Sequence, residues 1–420
     1  MNFISGILTG YPRAQYPASG ASIIMDRKQS DTIRVARVLC ILFMMSTHAW
    51  PGADRILAAD AAAVSASFNT VMAELLGHAS VPLLSLLSGV LLVRSFERGS
   101  PTDLLVTKIK TLLVPLCFWS LVASIVLVGK SLVTAVEFPT SILGYLNLIF
   151  ALTGGPANGP LYFLREIFVM TLYGTVVLLI FERSTKLGCV AAIGIVLVEQ
   201  MPGGFLLFRG QIAVMFISGL LLARFGKMNW VPSWPLVAAM LLVFAIAKAA
   251  GWLGISPDQY IASKISELLP RIAIGLLAWR TAYEVACRPT RLRRYLLLLE
   301  PHIFTVFCTH ALVASGFGLL ALLLGWTEHH AAYPLLLVSQ LAVFVAVGVV
   351  VSHLMTPFPW LRGKGGRAAP RAPLQPTSNA TVFEELLSGR RPAVPVSAST
   401  APSTTLTGRR SQERGTATTS

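Results

Sequence analysis

Arg37 and His48 stand eleven residues apart at the two ends of the apolar run Arg-Val-Leu-Cys-Ile-Leu-Phe-Met-Met-Ser-Thr-His. At about 100° per residue, that spacing makes three helical turns and a small remainder, so the two side chains share a face. Along the axis they lie roughly 16 Å apart, about half the hydrocarbon thickness of a bilayer. Ionisable groups are costly inside a membrane, and the default reading of each is functional. The pair offers an anion-binding cation at one level and a base or nucleophile at another, the imidazole titrating near working pH. Arg34, one turn earlier, adds a second cation. The plainer alternative makes Arg34 and Arg37 snorkelling or positive-inside residues and His48 an interfacial side chain.

Further groups could join them. Lys108 and Lys110 enter a later apolar run, Glu166 follows Arg165 at the start of another, and His310 closes Thr-Val-Phe-Cys-Thr-His. Glu166 could orient an imidazole or simply pair with Arg165; His310 could act in catalysis or be a bonded histidine inside the bundle. Glu74 and His78 suit a glycan contact or a solvated face. Arg271 needs a carboxylate, a carbonyl or a wet cavity.

The elements that must carry these residues are membrane helices. The 420 residues are 54% hydrophobic and 13% charged, which excludes an ordinary soluble domain. The net charge of +15 would suggest nucleic acid in a soluble chain. Here the Lys and Arg fall in short loops between apolar runs, the positive-inside pattern, so nucleic acid is not expected. The five cysteines are scattered singly, which implies neither a disulfide framework nor a zinc site, and no metal is expected. No cleavable signal peptide is expected, and Met25 could serve as an alternative start.

Apolar runs long enough to span lie near 33–50, 71–93, 111–128, 161–181, 188–200, 209–223, 235–250, 268–284, 302–325 and 334–355. The piece 141–152 is shorter than the roughly 17 residues a crossing needs and reads as re-entrant or surface-lying. With it uncrossed, all the basic clusters and both termini fall on one side, the cytoplasm. The expectation is an all-α polytopic bundle of about ten transmembrane helices. Its parts are a cytoplasmic segment 1–32, a membrane domain 33–355 and a basic tail 356–420 too polar to fold. That tail is either solvated or rests on anionic lipid.

Four motifs in order carry a resemblance. They are Arg37 with ten residues before His48; Ser88-Gly89-Val-Leu-Leu; Lys108-Ile-Lys110 running into Leu-Leu-Val-Pro115-Leu-Cys-Phe-Trp119-Ser120; and Gly159-Pro-Leu-Tyr162-Phe-Leu-Arg165-Glu166-Ile-Phe. From about Ile33 to Met355 the chain resembles the acyltransferase-3 family, membrane O-acyltransferases that modify cell-surface glycans. Lys-x-Lys stands where Arg-x-x-Arg is common, and Tyr162 where Trp is usual.

The resemblance implies transfer of an acyl group, acetyl first, from cytoplasmic acyl-CoA to a hydroxyl of a surface polysaccharide at a bacterial inner membrane. Arg37 and His48 match the arginine and histidine thought essential in the family; His310 and Glu166 are further catalytic candidates. Arg34, Lys108 and Lys110 would serve the CoA phosphates. Such chemistry needs a base, an oxyanion donor and cations. His48 could be the base or carry the acyl group covalently. Succinyl transfer to a periplasmic glucan is the near alternative. A transporter or flippase of a lipid-linked sugar is the alternative from another class, although no internal repeat supports it.

Overall fold

The computed structural model describes residues 27–49, 77–131, 139, 141–201, 205–226, 230–252, 260–324 and 333–363. The chain divides into two compact units, Met1–Gly366 and Arg367–Ser420, and all described residues belong to the first. Segment 1–26, Glu74 and the tail from 364 onward lie outside the described residues, as does the side chain of His78.

Among the described residues every regular element is helical. In chain order these are α1 (Arg27–His48), α2 (His78–Arg98), α3 (Pro101–Lys108), a π-helical step (Ile109–Leu113), α4 (Val114–Ser131), α5 (Ile142–Phe150), α6 (Tyr162–Arg183), α7 (Thr185–Gln200) and α8 (Gln211–Arg224). Then follow α9 (Trp234–Trp252), α10 (Tyr260–Cys287), α11 (Arg291–Leu299), α12 (Ile303–Leu323) and α13 (Tyr333–Leu354). Within the described residues, each apolar run expected to span is largely helical. Among those residues five helical stretches are both long and apolar enough to cross a membrane: Ser80–Arg98, Pro101–Gly129, Gly159–Arg183, Arg291–Ala321 and Leu335–Leu354. The helices Gln211–Arg224 and Trp234–Ile246 are apolar but shorter.

α1 is central and yet lacks that apolar signature, because its first half carries Arg27, Lys28, Asp31, Arg34 and Arg37. Val35, Ala36, Val38, Cys40 and Met45 are fully buried. A helix buried nearly all round is an interior element. Its neighbours α2, α10, α11, α12 and α13 shield it, so its charges meet protein groups rather than lipid.

The α2–α8 contact follows from two glycines. A Cβ on Gly89 would overlap the Phe216 backbone oxygen, and one on Gly219 would overlap that of Leu86. Only a bare Cα on each helix permits so close an approach.

The entry to α4 is set by capping and by a proline. Ser100 accepts from the Asp103 N–H at 3.1 Å, and Pro101 occupies the first turn, where no donor is missed. Pro115 has no N–H to offer the Thr111 carbonyl. Just ahead of it the helix widens, and Val114 N–H reaches back five residues to Ile109.

α5 has nine residues, about 14 Å, too short to cross. It is capped by Ser141 and stopped at Ala151, whose φ of 51° is left-handed. Asn147 then binds the Thr153 backbone at 2.8 Å. Beyond Met355, a 3-10 turn (Pro359–Arg362) folds back against the π step, α4 and α12. Within this turn Leu361 is buried and Trp360 and Arg362 are partly so, whereas 356–359 are exposed.

Candidate functional site

Two tie points join α1 to α12 and its 3-10 entry, Glu300–His302. At the first, Arg37 Nη1 lies 3.2 Å from Glu300 Oε1, and Arg34 Nε lies 3.5 Å from Oε2 of the same carboxylate. At the second, the His48 and His310 rings lie 5.5 Å apart between centroids, with their planes at 48°. The tie points are eleven residues apart on one helix and ten on the other. At ~1.5 Å per residue the two climbs match, so α1 and α12 run parallel and in register. The face shared by Arg37 and His48 therefore has a counterpart of carboxylate and imidazole on the facing helix.

The two histidines differ in environment. His48 is exposed, whereas His310 is fully buried, stacked on Phe307 at 5.9 Å and edge-on to Phe344 at 6.3 Å. His310 Nδ1 lies 2.6 Å from the Phe307 carbonyl oxygen. A carbonyl can only accept, so Nδ1 carries the proton and Nε2 holds a lone pair. That Nε2 is buried without a hydrogen-bond partner.

The charged level is a small network. Asp31 accepts from Arg293 at 2.6 Å and lies 3.6 Å from Arg34. Glu300, at the start of α12, also suits the positive end of that helix dipole. Lys108 is near enough to Arg37 for the two like charges to repel, while Lys110 lies exposed on the π step. A second histidine pair sits at this level, with the rings of His302 and His353 4.8 Å apart and His302 Nδ1 3.0 Å from Ser352 Oγ.

Glu166 goes elsewhere. Fully buried, it accepts from Arg165 at 2.7 Å and from the Phe208 N–H at 3.2 Å. Arg165 in turn donates to the carbonyls of Leu206 and Leu152. Glu199, also buried, takes the Tyr173 hydroxyl at 2.7 Å and the amides of Phe205, Leu206 and Leu207. Two carboxylates thus fasten the 205–208 loop onto α6 and α7. Arg271 lies in electrostatic range of Tyr162, whose ring carries the Arg209 guanidinium at 4.7 Å.

Glu300 and Asn158 are the residues that sequence reasoning missed. Asn158 is buried and donates Nδ2 to the Cys308 carbonyl at 2.8 Å, fixing the Gly/Pro-rich loop beside the His310 turn. The one sequence signal for Glu300 was a lone carboxylate at the mouth of an apolar run. Among the described residues no group of three or more His, Cys, Asp or Glu side chains is set to hold a metal ion.

The family described as "Acyltransferase domain" matches residues 31–355. The succinoglycan biosynthesis protein ExoH of Rhizobium meliloti (strain 1021) is 27% identical over 303 residues, covering 67% of this chain and 76% of that protein. No solved structure matches the chain.

Proposed function

From the premise that the chain belongs to the acyltransferase-3 family, and is thus a membrane acyltransferase, we propose that it moves an acyl group from cytoplasmic acyl-CoA to a hydroxyl of a surface polysaccharide. The observation that carries this reading is the matched pair of tie points, which sets a cationic level and a dihistidine level one above the other on two parallel helices.

The residues at the cationic level suit a polyanion. Arg34 and Arg37 share one carboxylate, and Lys108 lies within Coulombic range of Arg37. Like charges held together are relieved by an anion of several charges, which the CoA phosphates supply. Arg34, Lys108 and Lys110 bind those phosphates, and Arg37 holds the innermost.

At the other level, His48 is the exposed imidazole and takes the proton of the acceptor hydroxyl as that oxygen forms its bond to the acyl carbon. The thiolate leaves with the electrons of the broken C–S bond and takes up the proton from His48, which regenerates the base. His310 stands behind, and its Nε2 lone pair, unpaired in the structure, is available to accept from His48 and fix that ring's tautomer once the two rings close up. Glu166 acts at a distance, as a positioning residue that holds the 205–208 loop on α6.

The topology proposed is ten spans with both termini cytoplasmic in an inner membrane, α5 and the loop to Leu161 forming a re-entrant segment. Acetyl is the first choice of acyl group. Succinyl transfer is the second reading, favoured by the likeness to a protein named for succinoglycan biosynthesis.

Mass spectrometry of the host polysaccharide tests the proposal with wild type, a deletion and His48→Ala. A fixed acyl mass lost from both defective strains, with the polymer intact, is expected, and the mass names the group. Unaltered decoration in all three overturns the assignment, and loss of the whole polymer points to a transporter.

A further inference from the structure

Between α8 and α10 lies an apolar slot of about 180 Å³. Each of the two helices packs on α2 but, among the described residues, they scarcely touch each other, so the slot is a partly open gap floored by α2. No residue of α4 or α12 lines it, which sets it apart from the Glu300 and His310 levels. Its long axis follows the helices: the lining runs from Leu83 to Val90 on α2, from Val214 to Leu222 on α8 and from Ile272 to Trp279 on α10. At ~1.5 Å per residue these runs are roughly 10–12 Å long, most of the ~15 Å that one leaflet contributes to a ~30 Å hydrocarbon core.

Gly275 keeps the slot open. It lines the slot and is buried, yet a Cβ added to it would meet nothing within 4 Å. Among the described glycines with that much room, it is the buried one. Glycine destabilises a helix interior relative to alanine, so local stability does not call for it here; free space beside the backbone does. That space is larger than the ~150 Å³ apolar cavity that stays dry and takes up benzene. Water gains nothing by entering such a place, and an empty one forfeits dispersion contacts along every wall. Hydrocarbon suits it, and for a helix bundle in a bilayer the hydrocarbon at hand is a lipid tail.

The two ends of the slot differ in kind. Leu83, Val214 and Ile272 make one end apolar, while Gln29, Trp230 and Trp279 line the other. There Trp279 Nε1 donates to the Trp230 carbonyl at 3.3 Å and Arg280 Nη1 to that of Pro232 at 3.3 Å, which ties the segment after α8 to α10. Tryptophans favour the membrane–water interface, and Arg27 and Lys28, both exposed, immediately precede Gln29. We propose that the slot holds one acyl tail of an anionic phospholipid, its headgroup at the Gln29–Trp230 end beside Arg27 and Lys28. Only the choice of the cytoplasmic leaflet rests on the topology proposed above; binding of the lipid needs neither acyl donor nor polysaccharide.

The test uses full-length protein in mild detergent, with phosphatidylglycerol as the anionic probe and phosphatidylcholine as the control without net charge. Native mass spectrometry of the wild type should show a retained phospholipid. After delipidation, phosphatidylglycerol should raise the melting temperature more than phosphatidylcholine does. Gly275→Leu fills the slot from its own backbone, so it melts above delipidated wild type with no lipid added, and its response to phosphatidylglycerol shrinks about threefold or more. Gly275→Ala adds a single methyl and shows an intermediate loss, which keeps the outcome decidable if the leucine variant fails to fold. Arg27→Gln with Lys28→Gln lowers the response to phosphatidylglycerol to that of phosphatidylcholine. Lipid bound only on the outer surface of the bundle would leave both Gly275 variants responding as wild type, and that result overturns the proposal. Equal responses of wild type to the two lipids, or no retained lipid and no response at all, overturn it as well. A wild-type dimer that comes apart in Gly275→Leu would assign the slot to a second copy of the chain instead.

Discussion

His310 leaves one nitrogen unpaired and commits the other to the backbone, and side chains that mimic one ring nitrogen at a time can separate the two jobs. In His310→Asn, the amide nitrogen overlays Nδ1, keeping a donor for the Phe307 carbonyl but leaving nothing where Nε2 stands. In His310→Gln, the amide reaches the Nε2 position and can accept there, while the Phe307 bond is lost. If the Nε2 lone pair positions His48, Gln retains more transfer activity than Asn. His48→Ala loses on the order of a hundredfold or more, as expected for removal of a general base. Asn equalling or exceeding Gln in kcat would assign His310 to packing alone. The Arg37–His48 half of this site was legible from the sequence, because both residues lie on one helix and a spacing of eleven declares a shared face. The Glu300 half was not: it meets Arg37 across 263 residues of chain, a distance over which no periodicity carries information. For the same reason Glu166 read as a candidate for orienting an imidazole, when the amide it bonds, Phe208, is 42 residues away.

Single helices were legible wherever apolarity ran long, and their limits were not. α12 and α13 fall within a few residues of their expected spans. α11, Arg291–Leu299, had been absorbed into a basic loop, because three arginines in its first turn outweigh the leucines that follow. The 3-10 turn Pro359–Arg362 was lost in the polar tail for a similar reason; its place comes from packing on α4 and α12, which composition does not record. Ser88-Gly89 stood out in the sequence as part of a motif, although its partner Gly219 did not. That pair makes a prediction at this scale. Gly89→Ala must push α2 off the α8 backbone and destabilises the protein by about 1–3 kcal/mol, the usual cost of overpacking. Gly194→Ala, on α7 where an added Cβ meets nothing within 4 Å, should be neutral or slightly stabilising. Thermal melting of the two variants side by side checks the contrast. Equal effects would mean that α2 and α8 are not held in backbone contact.

At the scale of the whole molecule, the fold makes sense as a way of keeping charge inside a bilayer without exposing it to lipid. The helices that carry the site are not the most apolar ones. α1 bears five charged residues and is walled in by its neighbours, whereas α13 bears none and shows much of its surface outward. On the ten-span topology proposed, hydropathy alone undercounts crossings, since it scores the lipid-facing wall and misses the interior helix. The same logic sets the proposed topology. Every short loop rich in Arg or Lys falls on the side of the Arg34–Arg37 level if α5 turns back, and the clusters split between the two sides if α5 crosses. At about 14 Å, α5 covers less than half of a ~30 Å hydrocarbon core, which favours the turn. Single-cysteine reporters at two exposed positions distinguish the arrangements, in a background with the native cysteines replaced. Gly155→Cys, in the loop after α5, should react with a membrane-impermeant maleimide added to intact cells. Arg183→Cys, at the far end of α6, should react only after the cells are opened. Labelling of both from outside would mean that α6 does not cross. The reverse pattern, Gly155→Cys protected and Arg183→Cys labelled from outside, would mean that α5 crosses and that the basic clusters split between the two sides.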